Sequence, residues 1–152
     1  MLIALDLSSN GLVGTLPGEL ALLAPSLSKL ILANNSLEGK LPKELSAMSK
    51  LSVMNLGGNL IFGPIPESYG ELTELQAFSV FETKVQGAIP TSIANWTNIK
   101  NLYLAKTSLS GSIPESLCSG SLEDLWADCS DVRCPCCTFC CSDGTFCSQV
   151  SV

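Results

Sequence analysis

Eight cysteines carry the most concentrated chemistry in this 152-residue sequence, at positions 118, 129, 134, 136, 137, 140, 141 and 147. Two kinds of site suit Cys118, Cys129, Cys134, Cys136, Cys137, Cys140, Cys141 and Cys147. The C-x-C and C-x-x-C spacings between Cys134 and Cys140 are those by which thiolates hold soft metals. An even number crowded at one end is also the mark of a disulfide framework made in an oxidising compartment. Disulfides are the preferred reading, with no metal or cofactor. The alternative is a thiolate metal-binding protein that uses the rest of the chain as a scaffold.

Other chemistry is sparse. Histidine is absent, which removes Ser-His-Asp and Cys-His catalysis and every imidazole-ligated metal. Glu123 and Asp124 are neighbours and point in different directions on a strand, so they form no acid/base pair. The serines lack an activating base, and Gly57-Gly58 falls in a turn rather than in a strand-to-helix phosphate cradle. No enzyme is expected. The triplets Asn34-Asn35-Ser36 and Asn95-Trp96-Thr97 fit the N-glycosylation acceptor pattern, Asn95 being the better placed of the two.

Charge narrows the partners further. Of the formal −6, residues 115–152 carry −5, with Arg133 as their only base. No basic stripe exists, which excludes nucleic acid, and no run of about 18 apolar residues exists to span a membrane. The start, Met1 to Asp6, lacks a basic segment and does not read as a secretory signal. The cysteines and this start conflict, and the expectation is a piece of a longer extracellular or cell-surface protein whose signal or anchor lies elsewhere.

The elements that must position these residues recur with a fixed period. Pro17, Pro42, Pro66, Pro90 and Pro114 are spaced by 25, 24, 24 and 24 residues. Each follows a glycine by three positions (Gly14, Gly39, Gly63, Gly87, Gly111) and a Leu or Ile by one. The units are 2–26, 27–50, 51–74, 75–98 and 99–121, with a partial sixth at 122–128 and a Cys-rich cap or tail at 129–152. Within a unit, as in Leu27, Leu30, Leu32, Asn35, Leu37 and Leu45, apolar residues first alternate, as a strand with one buried face does. Gly and Pro then break the alternation, predicting irregular or 3₁₀ structure on the return path. A unit of this size buries its apolar face only by stacking on its neighbours. The predicted fold is an α/β solenoid, a right-handed superhelix with short parallel strands on its concave face.

The pattern L-x-x-L-x-L-x-x-N-x-L-x-G-x-I-P resembles the plant-type leucine-rich repeat of receptor kinase ectodomains, receptor-like proteins and polygalacturonase-inhibiting proteins, over residues 2–128. The resemblance implies a non-catalytic extracellular recognition module for a protein, peptide or glycan ligand, part of a longer receptor-like or inhibitor protein. It also implies a ladder of asparagines inside the turns, here Asn10, Asn35 and Asn59, while Thr83 and Thr107 depart from it and predict a looser turn. Members of the family usually start with a cysteine-paired cap. This chain starts at a first strand, so residues 1–26 are expected to fray, associate or be covered by further repeats. The closing repeat and its cysteines resemble the family's end cap, and Cys118 with Cys129, which flank that repeat, is one suggested pairing.

Alternation also assigns the concave face. The fifth positions are Asp6, Ile31, Asn55, Ser79, Tyr103 and Trp126; the seventh are Ser8, Ala33, Gly57, Phe81, Ala105 and Asp128, and both columns are expected to face outward. Phe81, Tyr103 and Trp126 then form an apolar platform for ligand, with Lys100, Asn101 and Lys106 as donors at its edge. Glu82 and Lys106 share the eighth column and are expected to pair. Six strands give a face of about 400 Å², half of the roughly 800 Å² per partner in an ordinary protein interface, which favours a peptide, a sugar chain or a share of a larger surface.

Overall fold

A computed structural model describes residues 2–142 and 146–150. Each repeat contributes one strand to the concave sheet and a second one after the turn. In chain order these are β1 (Ala4–Asp6), β2 (Val13–Thr15), β3 (Lys29–Ile31), β4 (Ser36–Glu38), β5 (Val53–Asn55), β6 (Phe62–Gly63), β7 (Ala77–Ser79), β8 (Lys84–Ala88), β9 (Asn101–Tyr103) and β10 (Ser108–Ser112). The tail adds β11 (Asp124–Asp128), β12 (Val132–Arg133), β13 (Phe139–Ser142) and β14 (Phe146–Gln149). The main sheet runs β1-β3-β5-β7-β9-β11-β13-β14, parallel except for the last pair. Its register stacks Asp6, Ile31, Asn55, Ser79, Tyr103 and Trp126 as one column.

The repeat signature has a local cause at each position. Gly14, Gly39, Gly63, Gly87 and Gly111 all take φ between 82° and 98°, where a Cβ is strained, and so turn the chain off the second strand. The proline that follows is extended, and its carbonyl accepts the first bond of a short helical segment, as in Leu45 N–H to Pro42 at 3.2 Å and Tyr69 N–H to Pro66 at 3.0 Å. The segments Gly18–Leu23, Lys43–Ala47, Glu67–Glu71 and Thr91–Asn95 are 3₁₀, and Glu115–Cys118 makes a single α-turn. The convex side is therefore the predicted 3₁₀ path. Among the described residues no helix is long and apolar enough to cross a membrane.

Between the two sides lies one continuous core. Leu30, Met54, Phe78, Leu102 and Leu125, the fourth-position residues of repeats two to six, are fully buried. Convex aromatics lock the third and fourth turns to their predecessors: Tyr69 Oη donates to the Pro42 carbonyl at 3.1 Å, and Trp96 Nε1 to the Tyr69 carbonyl at 2.9 Å. Trp96 is thus a core residue, while Asn95 beside it is exposed. The first repeat is less covered, with Leu2, Ile3, Leu7, Val13 and Leu22 exposed.

The turns show what the asparagines do. Asn59 is buried; its Oδ1 accepts from Leu37 N–H, and its Nδ2 donates toward the carbonyls of Leu32, Leu56 and Gly57. Asn35 likewise ties itself to Asn10, Leu12 and Leu7 of the preceding repeat. The hydroxyls of Thr83 and Thr107 bond within their own repeats, to the carbonyls of Val80 and Leu104 and the N–H groups of Val85 and Leu109. A hydroxyl offers one donor where a carboxamide offers two and does not reach the neighbouring turn.

Several sequence expectations are corrected here. The concave sheet has eight strands rather than six, because the Cys-rich tail extends it through β13 and β14. The second strands form two flanking sheets, β2-β4 and β6-β8-β10 with β12 added at its end, that the alternation did not reveal. Cys118 pairs with Cys136 and Cys129 with Cys140, so the suggested Cys118 to Cys129 bridge is wrong. The other pairs are Cys134 with Cys137 and Cys141 with Cys147. The seventh column is not open throughout: Ala33, Gly57, Ala105 and Asp128 are buried, while Ser8 and Phe81 lie partly open.

Candidate functional site

Three of the outward aromatics meet. β9 presents Tyr103 and β11 presents Trp126 in the fifth column, one strand apart, and Phe81 follows β7 in the seventh. The Trp126 ring lies edge to face with both, its centroid 5.8 Å from Phe81 and 5.7 Å from Tyr103. Phe139 on β13, in register with Trp126, packs on its other side at 4.6 Å. Aromatic pairs at such spacings favour these tilted geometries and hold the rings rigidly.

The rings form one wall of a hollow of about 420 Å³. The rest of the lining is polar or small: Asn34, Asn55, Ser79 and Glu82, with Ala33, Gly57 and Gly58. Two of these positions favour glycine. A Cβ on Gly57 would sit 3.0 Å from the Phe81 carbonyl oxygen, and one on Gly58, at φ +66°, would run into Asn34 Oδ1. Asn55 Oδ1 accepts from Gly57 N–H at 3.1 Å, leaving its amide protons to the hollow.

Polar groups behind the rings fix their orientation. Tyr103 Oη donates to Asp124 Oδ2 at 3.3 Å, and Thr138 Oγ1 lies 3.3 Å from Asp124 Oδ1. Partial burial, and then the charge and hydrogen bond of Asp124, push the Tyr103 phenol above its usual range. Trp126 Nε1 is buried and has no hydrogen-bond partner among the described residues. The Lys106 ammonium lies 5.2 Å from the Phe81 ring centre and 3.8 Å from Glu82 Oε1.

Comparison with known proteins places this architecture. The family described as Leucine Rich Repeat matches residues 1–23, 26–48 and 98–119. The LRR ectodomain of the receptor kinase SOBIR1 from Arabidopsis thaliana is 28% identical, covered over 86% of this chain and 72% of its own, with a TM-score of 0.79. A TDR receptor structure is 34% identical over 76% of this chain and 20% of its own, with a TM-score of 0.74. The fold is that of a leucine-rich repeat solenoid. A chain of the Arabidopsis receptor kinase HAESA in complex with the peptide hormone IDA and the co-receptor SERK1 is 31% identical, over 88% of this chain and 22% of its own, with a TM-score of 0.75. This leucine-rich repeat chain thus spans about a fifth of the TDR receptor and HAESA-complex chains it matches. No curated protein matches it.

Within the leucine-rich repeat frame the remaining sequence candidates fall in different places. Lys106 lies over the Phe81 ring and pairs with Glu82. Lys100 does not line the hollow; it pairs with Glu123 at 3.2 Å on the open surface, and Asn101 sits at the start of β9, also outside the lining. Asn34 is exposed but lines the hollow, whereas Asn95 is exposed on the convex path. All eight cysteine sulfurs are in disulfides, including Cys129, Cys137 and Cys140, whose Sγ atoms lie within 4.8 Å of one another. A disulfide sulfur is no thiolate ligand, so this state offers no metal site of the kind the spacings suggested.

Residues the sequence reading passed over complete the site. Phe139 had no repeat column to announce it, because β13 is placed by disulfides rather than by the period. Gly57 and Gly58 were readable as turn residues but not as lining of a hollow. Asp124, which the sequence marks only as forming no acid/base pair with Glu123, is half-buried and holds the Tyr103 hydroxyl.

Proposed function

We propose that the chain is a non-catalytic, extracellular recognition module of a longer receptor-like or inhibitor protein, and that it binds a peptide ligand at the C-terminal half of its concave face. The observation that carries this is the juxtaposition of a rigid aromatic wall, Phe81, Tyr103 and Trp126, with polar amides and hydroxyls in the lining of one hollow. An apolar pocket with a few convergent polar groups is the usual form of a binding site, and Trp and Tyr are enriched among residues that dominate binding energy. Structures of similar chains support the peptide class, since they include complexes with the peptide hormone IDA and with the plant peptide hormone RGF2. The four disulfides support an exported protein. Asn95, exposed on the convex path, is the proposed glycan carrier. A glycan on Asn34 would occupy the hollow, so Asn34 is proposed to stay bare.

The test is a peptide ligand selected from a displayed library on the full chain. Its affinity for Tyr103→Ala and Trp126→Ala should each fall by upward of about 1 kcal/mol with the far-UV spectrum unchanged. Wild-type affinity in both folded variants would refute the site.

A further inference from the structure

We propose that the aromatic hollow takes a basic side chain, an arginine or lysine of the ligand, seated against the faces of Phe81, Tyr103 and Trp126. The inference rests on the peptide reading above and adds the class of residue that enters. Its first ground is the charge of the lining. Glu82 is the single ionisable acid or base among the lining residues other than the Tyr103 phenol, and the nearest charge behind the rings is another carboxylate, Asp124, bonded to Tyr103 Oη.

The second ground is that this site already holds a cation of the chain's own. The Lys106 ammonium stands 5.2 Å over the Phe81 ring while lying 3.8 Å from Glu82. A ring face is negative and draws cations, most strongly when the ring is indole. Phe81 therefore demonstrates with Lys106 what the larger Trp126 and Tyr103 faces offer to an incoming guanidinium or ammonium. Arginine suits the geometry better than lysine, because its planar group stacks on a ring while its edge bonds a carboxylate or amide oxygen. Glu82, with its side chain 63% exposed, and the Asn34 side-chain amide oxygen supply those acceptors.

Third, the aromatic wall has little to give an anion. The Tyr103 proton points to Asp124, and the Trp126 N–H is buried. Lys106 is engaged by Glu82, and Lys100 is held away by Glu123 at 3.2 Å. The net charge of −6 adds a long-range field of the same sign preference.

Three blocked pentapeptides, Gly-Gly-X-Gly-Gly with X as arginine, norleucine or glutamate, test the proposal on the full disulfide-bonded chain. The readout is the Trp126 indole N–H resonance, assigned by its loss in Trp126→Phe. The arginine peptide should bind about two- to fivefold more tightly than norleucine, with glutamate weakest, and its advantage should shrink as salt is raised. Glu82→Gln should reduce the arginine preference over norleucine. Norleucine binding as well as arginine, or a preference unchanged by Glu82→Gln, overturns the basic-residue proposal while leaving the peptide site in place. No saturable shift with any of the three overturns both.

Discussion

The Asp128 carboxylate accepts the backbone N–H of Lys106 on one oxygen and that of Thr107 on the other, each at 3.0 Å. It closes the last turn of the solenoid. The asparagine ladder stops at Asn59, the threonines that follow do not reach the next turn, and an acid from the closing repeat takes over the linking role. Asp128→Ala leaves both N–H groups without a partner and should cost about 1–3 kcal/mol of stability. Asp128→Asn should cost clearly less, since Asn35 Oδ1 alone accepts from two N–H groups, those of Asn10 and Leu12. Urea melts of the three proteins check the order; equal loss in both variants would show that charge rather than hydrogen bonding matters.

The ladder itself predicts unequal costs along the chain. Asn59→Ala orphans the Leu37 N–H and removes the donor to three carbonyls, whereas Thr83→Ala removes a single hydroxyl bonded within its own repeat. Asn59→Ala should destabilise by at least about 2 kcal/mol and Thr83→Ala by about 1. Equal midpoints in chemical denaturation contradict this.

How much of this was legible in the sequence follows from what each feature depends on. The strands, the 3₁₀ path and the fifth-position column follow from a period and an alternation, so Tyr103 and Trp126 could be placed as neighbours from residue spacing alone. Asp128 could not. It occupies a seventh position that alternation assigns outward, but the closing turn needs an acceptor and the carboxylate swings in. Phe139 and the pairing of Cys129 with Cys140 lie beyond the last repeat, where tertiary closure replaces periodicity.

The disulfides should stabilise chiefly the end that carries them. Repeats interact mainly with their neighbours, so a loss at the cap stays local. Reduction should release amide protection in β11 and β13 and leave β3 and β5 protected in hydrogen exchange. Because Phe139 adjoins Cys140 and packs on Trp126 at 4.6 Å, the fluorescence attributable to Trp126 should change as well. Uniform loss of protection from the first repeat onward contradicts the local picture.

Alkali gives an independent handle. The chain has two tyrosines, and both phenols are raised in the folded state: Tyr69 by burial and then the charge of Glu44, Tyr103 by burial and then Asp124. A raised folded pKa means that the native state holds its proton more tightly than the unfolded one. The resulting stability is complete below the ordinary phenol value of about 10 and is lost as pH rises above it. Thermal midpoints should therefore fall from about pH 10 upward. Asp124→Asn should bring the Tyr103 titration, followed at 295 nm, back toward ordinary values; an unmoved curve would remove Asp124 as a cause.

The central claim is that ligand sits in the aromatic hollow of the concave face. Photo-crosslinking with a library-selected peptide carrying a diazirine, followed by digestion and mass mapping of the adducts, tests it most directly. Adducts should fall on the segments holding Phe81, Tyr103 and Trp126, and on those holding Asn34 and Asn55 of the same lining. Adducts confined to the convex path around Asn95, or to the flanking sheet of β6, β8 and β10, would contradict it.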